Sequence, residues 1–267
     1  MASFSVVSNV ASQNAQANLY GTQGGLNKAL TRLSSGFRIN MSGDDAAGLA
    51  VANAYRSDVA VINQGIRNAN DGLSTLQIKD GALNNIATLL DRLSTLASQS
   101  ASGSTTDASR LTLQSEADSV VLEIGREAAV AGLNTQAGFS IFVSNDGTNG
   151  VVSGSLSSVT TTSLGVAGLD LNDIAAAKTA VSTLTTAIST LGSVQGSVGA
   201  LQNRLQFAVT LAQSQKTSKQ AAESRIRDAN VAEESANMTR FNILQQSGIA
   251  ALSQANQSSA AVLSLLR

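Results

Sequence analysis

The chain has 267 residues with 18 acidic and 17 basic side chains, a net charge of −1, 3% aromatics and no Trp, Pro, Cys or His. The missing Cys and His exclude disulfides, thiol nucleophiles, Cys/His metal sites and the commonest general base, and the lack of a basic block argues against a nucleic-acid footprint. Scarce aromatics favour thin layers of helix on helix over a wide globular core, and the absence of proline, which costs about 3 kcal/mol inside a helix, suits long unbroken helices.

The opening stretch from Met1 to Gly25 carries no Lys or Arg, the first being Lys28. A secretory signal needs a basic start and then a continuous apolar run, so no cleaved signal peptide is expected and export would take a leaderless route. No run approaches the ~18 apolar residues of a membrane span. Val6, Val7, Val10, Ala17, Leu19, Leu26, Leu30 and Leu33 form a weak amphipathic stretch interrupted by Gly21, Gly24 and Gly25, each costing about 1 kcal/mol relative to Ala in a helix. Such a helix needs a partner along its length.

From Ile62 apolar or small residues recur at steps of three and four through Gly65, Ala69, Gly72, Leu76, Leu83, Ile86, Leu90, Leu93 and Ala97, with Lys79 the one interruption. Gly48, Val51 and Tyr55 extend the register backwards. This predicts one helix from about Asp44 to about Ser100, on the order of 80 Å long at 1.5 Å per residue, with Ser42 as N-cap and Asp44 and Asp45 placing charge on the first turn. The Ser102-Gly103-Ser104-Thr105-Thr106 break precedes a shorter helix with Leu113, Ala117, Val120, Ile124, Ala128 and Ala131 on one face, ending near Gly132.

Between Gly138 and Gly168 the pattern changes. Phe139, Ile141 and Val143 alternate with polar residues, Asn145-Asp146-Gly147 is a hairpin-turn signal, and Val151, Val152, Leu156 and Val159 read as further short strands. A third seam then runs Ile174, Ala177, Val181, Leu184, Ile188, Leu191, Gln195, Val198, Gln202, Leu205, Val209, Ala212, preceded by Asp170 and Asp173 as cap and first-turn charge. From Phe241 a last seam reads Leu244, Gly248, Ala251, Ala255, Ser258, Val262, Leu265, with Ile249, Leu252, Leu263 and Leu266 alongside. A helix apolar on more than one face is buried on more than one side, which favours a crowded environment such as the centre of a polymer. The fold expected is mainly α: a long antiparallel helical rod or coiled coil with a small β-hairpin element at one end.

Leu33-Ser34-Ser35-Gly36-Phe37-Arg38-Ile39-Asn40 followed by Asp44-Asp45-Ala46-Ala47-Gly48 closely resembles the N-terminal signature of bacterial flagellins. Arg67-Asn68-Ala69-Asn70-Asp71-Gly72 and Gly81-Ala82-Leu83 resemble the next stretch. Ser224-Arg225-Ile226-Arg227-Asp228-Ala229, Ile243-Leu244-Gln245-Gln246, Gln254-Ala255-Asn256-Gln257 and Leu263-Ser264-Leu265-Leu266-Arg267 resemble the other end. The resemblance implies a structural subunit of the extracellular flagellar filament, polymerising through its terminal helices into a helical tube used for motility. It further implies a terminal coiled-coil domain lining the filament core, here residues 1–40 with 225–267, and a helical rod domain, residues 41–224, with its β segment at about 138–168. Only a short hairpin stands where most flagellins insert variable outer domains.

By the same resemblance the polymerisation core is Val7, Val10, Leu30, Leu33, Phe241, Leu244, Ile249, Leu252, Val262, Leu263, Leu265 and Leu266, and the spoke motif is Gly36, Arg38, Asn40, Asp44 and Asp45. The implied partners are the chain itself, hook-associated junction and cap proteins, and an export chaperone on the C-terminal segment, with export through the flagellar type III apparatus. A vertebrate Toll-like receptor is a further implied partner, through Arg92, Leu96 and Glu116, although Ser94 and Thr95 stand where strong activators carry a charged pair. No cofactor, metal, nucleic acid or membrane span is expected.

An enzyme would need its carboxylates to face each other. Asp44 with Asp45 and Glu233 with Glu234 are adjacent in sequence, about 100° apart on a helix, and so are expected to be solvated charges rather than a catalytic pair. Gly21 to Gly25 lacks the spacing and the Lys-Ser/Thr of a phosphate loop. A hook–filament junction protein shares the terminal helices but typically has Pro after the two Asp, where Ala46 stands here. A chemoreceptor-like hairpin would lack the β segment.

Overall fold

A computed structural model describes residues 8–145 and 147–265. Val6, Val7, Asp146 and Leu266 lie outside the described residues, so those parts of the N-terminal, turn and C-terminal expectations are not described. Five long helices carry the fold: α1 Val10–Ser35, α2 Ala46–Ser100, α3 Asp107–Val130, α4 Ile174–Arg227 and α5 Val231–Leu265. A two-stranded antiparallel sheet of β1 Ala137–Phe142 and β2 Val151–Leu156 sits between α3 and α4 in sequence. The chain divides into two compact units, Met1–Ser57 with Ser218–Arg267, and Asp58–Thr217.

In the second unit α2 runs antiparallel to both α3 and α4. Asn84 on α2 accepts a hydrogen bond from the Gln195 side chain on α4 at 3.0 Å, and Lys79 on α2 donates to the Gly132 carbonyl at the end of α3 at 2.9 Å. The α2 seam is buried where the periodicity places it: Ala69, Leu76, Leu83, Ile86, Leu90 and Ala97 are each 0% exposed. Lys79, which breaks that seam, is half-buried and donates to the Gly132 carbonyl just beyond the end of α3. Partial burial lowers its pKa.

The helix ends follow local chemistry. Thr106 caps α3 by accepting from the Ser109 N–H. At the other end Gly132 has φ +62, with Leu133 N–H donating to Ala128 and Gly132 N–H to Ala129, the paired bonds of a Schellman stop. Asp173 caps α4 through the Ala175 N–H at 3.1 Å, while Asp170 forms a turn just before it. The N-cap of α2 is Asp45, not Ser42: its carboxylate accepts from the Gly48 N–H at 2.8 Å, and helix begins only at Ala46. A carboxylate three residues before an N–H reaches it, whereas Ser42 lies outside the first turn.

Two stripes are displaced from their expected lines. Before Ile62, α2 buries Ala52 and Val59, and Val51 is 44% exposed. On α4, Ala180, Ala187, Val194 and Leu201 are buried where Val181, Ile188, Gln195 and Gln202 were expected, and Ile188 is 38% exposed. A three–four repeat offers two neighbouring lines on one helix, and the facing helices select between them.

The hairpin pairs Ala137 with Leu156 through Phe142 with Val151. Val159 is not in a strand; its N–H donates to Leu133 at 2.7 Å. The stretch after β2 is an irregular segment pinned by Val159, Leu164, Val166 and Leu171, all buried in the core cluster. The Gln114 side chain holds it at both the Leu169 carbonyl and the Leu171 N–H. Gly65 explains how the hairpin reaches α2: a Cβ at that position would collide with the Val143 backbone, so only glycine allows this approach.

Candidate functional site

The first unit is built on α1 and α5, which run antiparallel. Asn9 donates from its side chain to Ala255 at 3.0 Å, Gln245 donates to Gln23 at 2.8 Å, and Arg32 meets Glu234 at 3.1 Å. Asn9 also caps α1 by accepting from the Ser12 N–H at 3.0 Å, so one side chain serves both the helix end and the pairing. Gly25 lies under the Phe241 ring, where a Cβ would come within 2.5 Å. Gly21 and Gly24 have open space, and α1 runs through all three.

This pair covers one line of each helix and leaves much apolar surface open. On α1, Leu26 and Ala29 are buried among the described residues. Val10 is 59% exposed and Leu30 46%, while on α5 Leu244 is 45% and Ile249 54% exposed. Leu33, Phe241 and Leu252 are half-buried. The line of α5 against α1 runs through Phe241, Gln245, Gly248, Leu252 and Ala255, whereas Leu244, Ala251 and Ser258 of the expected seam are exposed. A groove of about 750 Å³ lies along the pair, with Ala15, Leu19, Thr22, Leu244, Gly248 and Ala251 in its walls. Val262, Leu263 and Leu265 fall on the last turns of α5, and their side chains are not among those described.

The spoke residues lie in the connector between α1 and α2. Gly36 ends α1 with φ +74 and its N–H bonded to Arg32, the left-handed stop that glycine adopts without a Cβ penalty. Arg38 is exposed, and its guanidinium donates to the Ile226 carbonyl at 2.8 Å. Asn40 and Met41 donate their N–H groups to the Asp44 carboxylate, each at 3.3 Å. The Met41 N–H, then the Asn40 N–H, hold the Asp44 carboxyl below its ordinary pKa, because both bonds favour the charged form.

Arg92 and Glu116 form an ion pair between α2 and α3, with side chains 55% and 42% exposed. Leu96 does not join them at the surface: it is 1% exposed and belongs to the core cluster. Four residues after Arg92 on α2 the chain has turned by about 40°, enough to carry Leu96 into the seam beside Leu93.

Sequence reasoning missed two residues. Glu234, expected as a solvated charge, is 8% exposed and paired with Arg32; nothing local distinguishes it from the exposed Glu233. Arg227 stacks its guanidinium 4.2 Å from the Phe37 ring centroid, a pairing of residues far apart in sequence. No group of three or more metal-ligating side chains occurs among the described residues, and none of the described helices is long and apolar enough to cross a membrane.

Two family descriptions match the chain: the bacterial flagellin N-terminal helical region over residues 6–140 and the C-terminal helical region over residues 174–266. A flagellin of Halalkalibacterium halodurans is 34% identical, covering 97% of this chain and 98% of its own length. The flagellar filament 33 kDa core protein of Treponema phagedenis is 36% identical over the same shares, 97% and 98%. A crystal structure of Bacillus cereus flagellin, 28% identical, aligns over 54% of this chain and 88% of that one with a TM-score of 0.48. Matched at both helical regions and along nearly its whole length, the chain belongs to the bacterial flagellins and is a structural subunit of the flagellar filament.

Proposed function

We propose that the chain polymerises through its terminal helix pair, with residues 1–40 and 225–267 as the assembly domain and 41–224 as the rod domain. The observation that carries this reading is the exposure of Val10, Leu30, Leu244 and Ile249 on the α1–α5 pair. Two helices alone cover one stripe of each and leave the other faces in water. Covering each such side chain with another copy contributes roughly 1.5–3 kcal/mol, and a head-to-tail helical polymer repeats that gain at every subunit. Leu33, Phe241 and Leu252 support those faces from within the pair. Val7, Val262, Leu263, Leu265 and Leu266 join the assignment through the sequence pattern and the family resemblance. The chain performs no catalysis in this reading, since Asp44 and Asp45 accept backbone N–H groups in the connector and at the start of α2, and Glu234 pairs with Arg32 between α1 and α5.

Seeded elongation followed by negative-stain microscopy tests it, wild type beside Leu244→Asp. Leu244 is 45% exposed in a single copy, so the variant is expected to keep wild-type helicity while placing a charge where another copy packs. Thin filaments from wild type and none from the variant support the interface. Equal growth of both removes Leu244 from it, and growth of neither points to a hook–filament junction role.

Family resemblance supports the remaining partners. Export runs through the type III apparatus, a chaperone holds the C-terminal segment, and junction and cap proteins bound the filament. Recognition by a Toll-like receptor engages Arg92 and Glu116, with Leu96 beneath them positioning α2 rather than touching the receptor. A reporter-cell response unchanged by Arg92→Glu would dismiss that contact, and no response to saturating wild-type monomer would dismiss the recognition.

A further inference from the structure

The helix α4 is unbroken over Ile174–Arg227, but its two halves are built from different residues. In the first half Thr179, Thr183, Thr185, Thr186, Thr190 and Ser197 each donate their hydroxyl to the carbonyl four residues earlier. Such a hydroxyl competes with the helix's own N–H for that carbonyl, and bonds of this kind weaken and bend a helix. Gly192, Gly196 and Gly199 lie in the same half, and a Cβ at any of them would meet no neighbouring element within 4 Å. Close packing inside the chain therefore does not require glycine there, and each one lowers the local helix propensity. The stretch from Leu201 to Gln213 is instead rich in Leu, Gln and Ala, which are strong helix formers, and no glycine follows until Gly248.

The core face of the first half does not make up the difference. At the level set by the Gln195–Asn84 hydrogen bond, α2 buries Leu83, Ile86, Leu90 and Leu93, whereas α4 buries Ala187, Leu191, Val194 and Val198. Smaller side chains remove less apolar area from water and anchor their helix less firmly. Two helices at one level of one compact unit thus differ in both propensity and anchorage.

We infer that residues 179–199 are the yielding wall of the bundle, a segment that opens locally while α2 beside it stays closed. Segments that move are drawn from the least stable parts of a structure. Deformation of the subunit within a filament therefore falls on this half of α4 before it reaches the α2 seam.

Hydrogen exchange of the full chain in solution tests this, with peptides from 182–199 and 80–97 compared as protection factors. Both segments lie in the second unit, so neither the terminal helices nor filament growth enters the comparison. The α4 segment is expected to be at least about tenfold less protected than the α2 segment. Low urea should speed exchange in α2 and leave α4 nearly unchanged, because a local opening exposes little surface. The triple variant Gly192→Ala, Gly196→Ala, Gly199→Ala places methyl groups in open space. It should raise α4 protection about ten- to hundredfold, from roughly two- to fivefold at each site. Equal protection of the two segments, equal dependence on urea, or α4 protection unmoved in the triple variant each overturns the inference. A failure of the terminal-helix assembly interface would leave all three readings as they are.

Discussion

Replacing Leu90 by Ala should lower the stability of the second unit by about 2–5 kcal/mol, the range for a buried Leu whose cavity cannot fully collapse. Leu90 is 0% exposed and lies in the cluster that joins α2 to α3 and α4. Collapse is hindered there because long helices on either side are also held above and below, by Ile86 and Leu93 on the same seam and by Leu184 and Leu191 in the same core. A substitution of equal size at Ile78, which is 66% exposed, should move stability by no more than about 0.5 kcal/mol. Urea unfolding followed by helical circular dichroism compares the two. Equal midpoints would mean that the α2 seam is not the core of this unit.

Arg110→Ala should cost about 1–3 kcal/mol, the range for leaving a buried hydrogen-bonding group without its partner, because its one charged partner, the Asp107 carboxylate, is 95% exposed. Arg110 is a charged side chain inside the bundle, 4% exposed. It donates to the Ser100 carbonyl and the Ser102 carbonyl, each at 3.0 Å, and to the Asp107 carboxylate at 2.8 Å. Its guanidinium therefore replaces water at the last carbonyl of α2, Ser100, which has no helical partner of its own, and at the Ser102 carbonyl just beyond it. It also favours the negative end of the α2 dipole. Ser100 is itself 0% exposed, and its hydroxyl donates to Leu171, so the Ser100 carbonyl would be left buried and unbonded in the variant. Arg110→Lys offers a single ammonium in place of a planar fork and should recover part of the loss. Thermal unfolding of the two variants beside wild type settles it: a loss below about 1 kcal/mol for Arg110→Ala would mean that water replaces the guanidinium without penalty.

Where sequence and structure agree, the signal was redundant. The α2 seam repeats over many turns, so a single interruption such as Lys79 does not hide it, and Gly132 marks the end of α3 because few other residues adopt its backbone angles. Disagreement arises where two readings are locally equivalent. Ser42 and Asp45 are both good caps by type, and the geometry of the preceding turn decided for Asp45. Val159 has strand-like chemistry, but β2 ends at Leu156, and the residue spends its N–H on Leu133 instead. On α4 the line through Ala180 and Ala187 was legible as helix but not as the buried face, since small residues give no hydrophobic contrast until another helix covers them.

The candidate site divides in the same way. Apolar residues on several faces of both terminal helices are visible in the string of letters, because periodicity is a local property of a helix. The burial of Glu234 against Arg32, the placement of Leu96 beneath Arg92, and the bonding of Phe37 to Asp228 each join or orient residues through packing between separate elements.

The sequence by itself determined the long helices, the stop of α3 at Gly132, the mainly α class and the membership in a filament-forming family, all of which rest on short-range spacing and local motifs. The tertiary structure alone decided which of two adjacent stripes each helix buries, which charges leave water and how the connectors pair. Those choices depend on what lies across from a residue, and spacing along one chain does not carry that information.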